Sequence, residues 1–266
     1  MKHKILKYYF CLLVITISSC TDFIAEKDLQ PEWEVIESNR IVLHYRSPGF
    51  SNEASPTIDE AYFILHNQEL YYRAVCDSIN RDYSDRVLIY LFNSDEADER
   101  TGTASGGHSI PKLNAFYFSF FHHPREYTDK YGVEKPFLGA HELVHVITHQ
   151  TLGYPGTRLM SEGYANWLDG SYARYDIPDI IISYRNNNPE KIMNPDELLN
   201  DTDRDESVYY PNAGLFTGFL VNTYGIENIN RLFNCGRGDL ISDFENICYD
   251  SWVDMTEKYS AYIEDL

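Results

Sequence analysis

Apolar positions recur at short, strand-like spacing mainly in the first half of the chain and at a helical spacing near 3.6 through the second. Arg40 to Arg46 (RIVLHYR), Arg86 to Asn93 (RVLIYLFN) and Asn114 to Phe121 (NAFYFSFF) are β-branched and aromatic, and each predicts a strand. A turn-rich break at Ser51 to Pro56 leads into a helical pattern from Thr57 to Asp82. Its stripe of Ile58, Ala61, Tyr62, Leu65, Val75 and Ile79 is expected to face the core. Ser94 to Arg100 predicts a short acidic helix or turn. Thr101 to Gly107, rich in Gly, Ser and Thr, predicts a loop.

Beyond these runs the pattern turns helical. Pro136 suits the first turn of a helix that runs to Leu152 and stops at Gly153-Tyr154-Pro155-Gly156. Arg158 to Tyr172 (RLMSEGYANWLDGSY) gives a second helical pattern, and Asp176 to Tyr184 a short apolar segment. Asn186 to Asp205 is a polar connection with a short helix near Pro195 to Leu199. A further helix opens at Tyr209-Tyr210-Pro211 and runs to Tyr224-Gly225. Ile226 to Cys235, Asp239 to Tyr249 and Ser251 to Leu266 predict three closing helices. Strands followed by helices indicate the α+β class.

The first residues change the picture of where this fold resides. Lys2, Lys4 and Lys7 precede an apolar run, Phe10 to Ile17, that is too short to span a bilayer, and Ile17-Ser18-Ser19-Cys20 closes it. The ending resembles the bacterial lipobox. That likeness implies a signal peptide over 1–19, acylation of Cys20, a tether over 20–37 and a folded domain over 38–266. The protein would then sit in the bacterial cell envelope, lipid-anchored on the periplasmic face or the cell surface. A charge of −19 argues against a nucleic-acid partner. Cys76, Cys235 and Cys248 are an odd number of thiols; Cys235 and Cys248 are spaced to bridge a short loop, and Cys76 has the setting of a buried thiol.

The chemistry concentrates in His141-Glu142-Leu143-Val144-His145. Two imidazoles four residues apart share one helix face, about 6 Å between their Cβ atoms, which suits joint binding of one Zn²⁺. Glu142, about 100° round the helix, is placed to act as general base on a metal-bound water. The helix is otherwise apolar (Phe137, Leu138, Val146, Ile147), so its histidines need polar partners, and one metal ion satisfies both. His149 continues the face but lies about 12 Å along the axis from His141, so it is expected to be structural. His122 and His123 are expected to be solvated loop residues. His108, Ser109, Asn114 and Tyr117 are candidates for lining a substrate cleft, with ordinary sheet and loop roles as the alternative.

HELVH followed by SEGYANW after a turn resembles the gluzincin metallopeptidases, the thermolysin-like and aminopeptidase-like clan. The resemblance implies that Glu162, in its Glu-Gly-x-Ala context, is the third metal ligand beside His141 and His145. It also implies an orienting partner for a ligating histidine, Asn166 or Asp169. Tyr210, ahead of Ala213-Gly214-Leu215-Phe216, matches a clan tyrosine that donates to the oxyanion; Tyr209 is the rival, and plain packing the alternative for both. The implied fold is a thermolysin-like zincin. A small mixed-sheet lobe (about 38–156) would meet a helical lobe (about 157–266) across a cleft. The implied function is zinc-dependent hydrolysis of a protein or peptide substrate; the alternative is a catalytically silent surface lipoprotein of this fold that binds a protein or glycan.

Overall fold

The computed structural model describes residues 33–46, 55–92, 106–120, 127–128, 134–135, 138–173, 175–201 and 203–266. The signal sequence, Cys20, Ser94 to Arg100, His122, His123 and Pro136 lie outside the described residues.

The fold is mixed α+β. Its five-stranded sheet comprises β1 (Trp33–Glu37), β2 (Ile41–Arg46), β3 (Val87–Phe92), β4 (Gly107–Ile110) and β5 (Ala115–Ser119), in the spatial order β1-β2-β3-β5-β4. The three central strands are parallel, and β1 and β4 close the edges antiparallel. β1 begins at Trp33, where the tether is expected to become ordered, and β4 starts on the last residue of the Thr101 to Gly107 loop. The central strands alternate cleanly. Ile41, Leu43, Val87, Ile89, Leu91 and Phe116 turn to the main core, while Trp33, Tyr90, Phe92 and Tyr117 form an aromatic cluster on the other face.

Helix α1 (Ile58–Ile79) connects β2 to β3, opened by a Thr57–Glu60 capping box and closed by Asn80 in the left-handed region at φ 50°. Ala61, Leu65, Val75 and Ile79 of the expected stripe are buried, and the difference lies at the start of the helix. Ile58 and Tyr62 are about half exposed, and Ile64 and Gln68 turn inward instead. Gln68 Nε2 donates to the carbonyls of Leu138 and Gly139, just ahead of the next helix.

A two-residue ladder, β6 (Tyr127–Thr128) with β7 (Glu134–Lys135), precedes α2 (His141–Leu152) and α3 (Arg158–Asp169). A second small ladder, β8 (Ser171–Tyr172) with β9 (Tyr175–Asp176), leads to α4 (Ile177–Asn187), α5 (Pro195–Asn200), α6 (Glu206–Tyr224), α7 (Ile226–Leu232), α8 (Leu240–Cys248) and α9 (Trp252–Asp265). One continuous buried core runs from the sheet through these helices to Tyr259 and Ile263. No helix among the described residues is long and apolar enough to cross a membrane.

Two expectations are corrected here, and a pairing the sequence leaves open is decided. Helix α2 starts at His141, not at Pro136. Helix α6 starts at Glu206, so Pro211 lies inside it rather than at its head. Asp205 makes this possible by accepting from the Ser207 amide, and the carbonyl of Ser207, deprived of its donor by Pro211, receives the Tyr184 hydroxyl at 2.6 Å. Finally, Cys235 and Cys248 do not pair. All three described thiols are free, and Cys235 Sγ is directed at the Arg231 carbonyl. Cys76 is half-buried, and burial pushes its thiol up to about 11.

Helices α3 and α6 approach so closely that a Cβ at Gly163 would stand 2.2 Å from Thr217 Oγ1 and 3.2 Å from the Ala213 carbonyl. Gly163→Ala is therefore expected to destabilise the fold by about 1–3 kcal/mol through overpacking. Urea unfolding measures this, and Thr217→Ala in the same chain should recover part of the loss.

Candidate metal centre

The ends of α2 and α3 are tied together before any ligand is placed. The amide of Ala140, which caps α2 without a side-chain bond of its own, donates to Asp169 Oδ1 at 2.6 Å; Ser171 Oγ donates to the other oxygen. Thr157 caps the far end of α3 by accepting from the Met160 amide. This frame carries Glu162 to the two histidines.

His141 and His145 lie one turn apart with Nε2 atoms 3.2 Å from each other, and Glu162 Oε2 stands 3.4 Å and 3.6 Å from them. A tetrahedral ion with bonds of 2.0–2.1 Å requires donor-to-donor edges of about 3.3 Å. The triangle has that size. Glu162 Oε2 is buried and has no hydrogen-bond partner, its distances to the imidazoles being long for good hydrogen bonds. His141, His145 and Glu162 thus form a group able to hold a metal ion.

The electrostatics are those of an ion pair. Burial disfavours a charged His141, but the Glu162 carboxylate, with the charges of Glu142 and Asp169, outweighs it and pushes the imidazole up to about 9. Burial likewise opposes ionisation of Glu162, and the two imidazoles override it to hold its carboxyl well below the usual range. His149 is different. Its ring packs against Tyr154 and Phe233, and burial, with the nearby His145, lowers it to about 4. It is a neutral packing residue outside the triangle.

Glu142 is buried on α2 and packs against the edge strand. A Cβ at Gly107 would stand 2.7 Å from Glu142 Cγ and 2.9 Å from its Oε1, so the absence of a side chain there gives the carboxylate its room. Sequence reasoning missed Gly107 because it looked like the end of a loop. The available signal was the short alternating run Gly107 to Ile110 that follows. Ser161 was missed too: its hydroxyl lies 3.4 Å from His145 Nδ1, placed to orient the ring whose Nε2 faces the triangle.

Of the candidate histidine partners, Asn166 turns back to donate to the Glu162 carbonyl of its own helix, whereas Asp169 acts on His141 through its charge. The two tyrosines separate as well. Tyr209 is fully buried with its hydroxyl on the Leu198 carbonyl, while Tyr210 lies nearly parallel to the His141 ring, with centroids 5.7 Å apart. The cleft candidates divide by face. Strand alternation puts Ser109 on the Gly107 side; His108 sits against Tyr117, which belongs to the aromatic cluster of the opposite face, and Asn114 serves a turn at φ 50°.

Neither a family model nor a curated protein matches this chain.

Zn²⁺ requires a neutral imidazole, so at pH 7 its binding is expected to release the His141 proton in addition to any lost by the bound water, and the imidazole's share vanishes well above pH 9. Calorimetry in buffers of different ionisation enthalpy measures this. Heats independent of buffer at pH 7 would contradict a charged His141.

Proposed function

We propose that this protein is a zinc-dependent peptidase of thermolysin-like architecture, anchored by lipid at Cys20 in a bacterial cell envelope and acting on proteins or peptides. One observation carries the catalytic reading. Three donor atoms stand at tetrahedral spacing, with a buried carboxylate one residue from the first of them, against an edge strand.

Zinc held by His141, His145 and Glu162 supplies a water of lowered pKa and polarises a carbonyl. The chain's own residues do the rest. Glu142 accepts the proton of the attacking water and delivers it to the leaving amine. Strand β4, hydrogen-bonded to β5 on one side, is the outermost strand of the sheet among the described residues on the other, where an extended peptide can add as a further strand. Tyr210, packed on His141, donates its phenol proton to the oxyanion that develops on the substrate carbonyl.

Glu142→Gln is expected to retain stoichiometric zinc and lose about 10²–10⁴-fold in kcat, the scale of general acid–base catalysis. His145→Ala should lose metal and activity together. Gly107→Ala should keep zinc and lower kcat by displacing Glu142. Metal analysis joined to cleavage profiling on an unbiased peptide library tests all three, and digestion by the Gln variant at the wild-type rate would refute the assignment. A silent binder of the same fold would show bound zinc without turnover in every variant.

A further inference from the structure

Arg158 occupies the first position of α3, one turn before Glu162 and on the same helix face. Its guanidinium carbon lies 4.3 Å from the centre of the Tyr209 ring and 5.5 Å from that of Tyr210, which brings the guanidinium within reach of the Tyr210 phenol; its Nη1 also donates to the Arg204 carbonyl at 3.5 Å. Tyr209 is a fixed platform for this cation, because it is fully buried and its hydroxyl is bonded to the Leu198 carbonyl at 2.7 Å. Tyr210 is confined in turn. His141 covers its ring at 5.7 Å and Tyr172 meets it edge-on at 5.9 Å.

A phenol has one proton to give and lone pairs to accept with, whereas a guanidinium only donates. The contact with Arg158 therefore uses an oxygen lone pair and leaves the proton for another acceptor. That acceptor is Glu206, one turn earlier on α6, whose Oε1 receives the phenol proton at 3.3 Å. Glu206 is exposed and borders a solvent-open pocket shared with Arg158, Tyr172 and Arg204, so water can take over this long hydrogen bond.

We propose that Arg158 is a positioning residue that fixes the Tyr210 oxygen, while Glu206 holds its proton aside until an oxyanion forms beside the metal. The proton then swings from Glu206 to the oxyanion with the oxygen stationary, and no helix or loop has to move. This proposal rests on the peptidase reading for its purpose but not for the contact itself.

Two measurements test it. In zinc-free protein labelled at tyrosine Cζ, the Tyr210 carbon resonance, assigned by its absence in Tyr210→Phe, should shift in Arg158→Met and in Glu206→Ala. An unchanged resonance in either variant overturns the arrangement. In zinc-loaded protein, a peptide phosphonamidate serves as the tetrahedral anion, and its dissociation constant is read by calorimetry. Arg158→Met should weaken binding about tenfold, as for a hydrogen bond to a charged group, yet less than about twofold when Tyr210 is already Phe. Arg158→Lys should regain part of the loss, and Glu206→Ala should tighten binding. Equal losses for Arg158→Met on both backgrounds would make Arg158 an independent binding residue and overturn the proposal, as would weaker binding in Glu206→Ala. Wild-type protein that takes up no zinc would overturn the peptidase reading instead, and the resonance measurement would still decide the contact.

Discussion

A carboxylate taken out of water must be compensated, and Glu162 sets the terms for the structure around it. Its Oε2 is buried between two imidazoles and has no hydrogen bond of its own. Such an atom is tolerable only beside positive charge, and here either a proton on His141 or a metal ion provides it. The surrounding architecture keeps that charge and that oxygen in register. Asp169 ties the end of α3 to the start of α2, and Gly163 lets α6 close down on the opposite side of α3.

The same packing gathers the remaining chemistry. Four elements converge on the triangle: α2 with both histidines and Glu142, α3 with Ser161, Glu162 and Arg158, α6 with Tyr210, and β4 with Gly107. None of them reaches the site by local sequence alone. Tyr210 depends on a helix that starts ahead of its proline, which in turn relies on the Tyr184 hydroxyl to satisfy the Ser207 carbonyl. Glu142 depends on a strand whose first residue has no side chain.

How much of this was legible varies with the physical signal. The central strands and α1 were readable because a strand buried on both faces is apolar throughout and a long amphipathic helix repeats its stripe many times. The edge strands were not. β1 and β4 are short and half-polar, and their pairing partners, β2 and β5, decide that they are strands at all. The inward face of α1 was misjudged at its first turn, where Ile58 and Tyr62 are exposed although apolar, because a stripe read from sequence cannot show where the neighbouring element ends. Tyr117, a candidate for the cleft with an ordinary sheet role as the alternative, takes the sheet role, because its position in β5 turns it to the aromatic cluster; a shift of one residue in a strand reverses the face.

The sequence by itself singled out the three candidate donors. Imidazoles four residues apart on a helix share a face whatever surrounds them, and the Glu-Gly-x-Ala context marked Glu162 before any packing was known. Only the tertiary structure decided what accompanies those side chains. It separated Tyr210 from the fully buried Tyr209, brought Asp169 rather than Asn166 toward His141, set Gly107 against Glu142, and left Cys235 and Cys248 unpaired. The reason is geometric. Spacing along one helix is fixed by its 1.5 Å rise, whereas contact between elements depends on distances that every other side chain in the core helps to set.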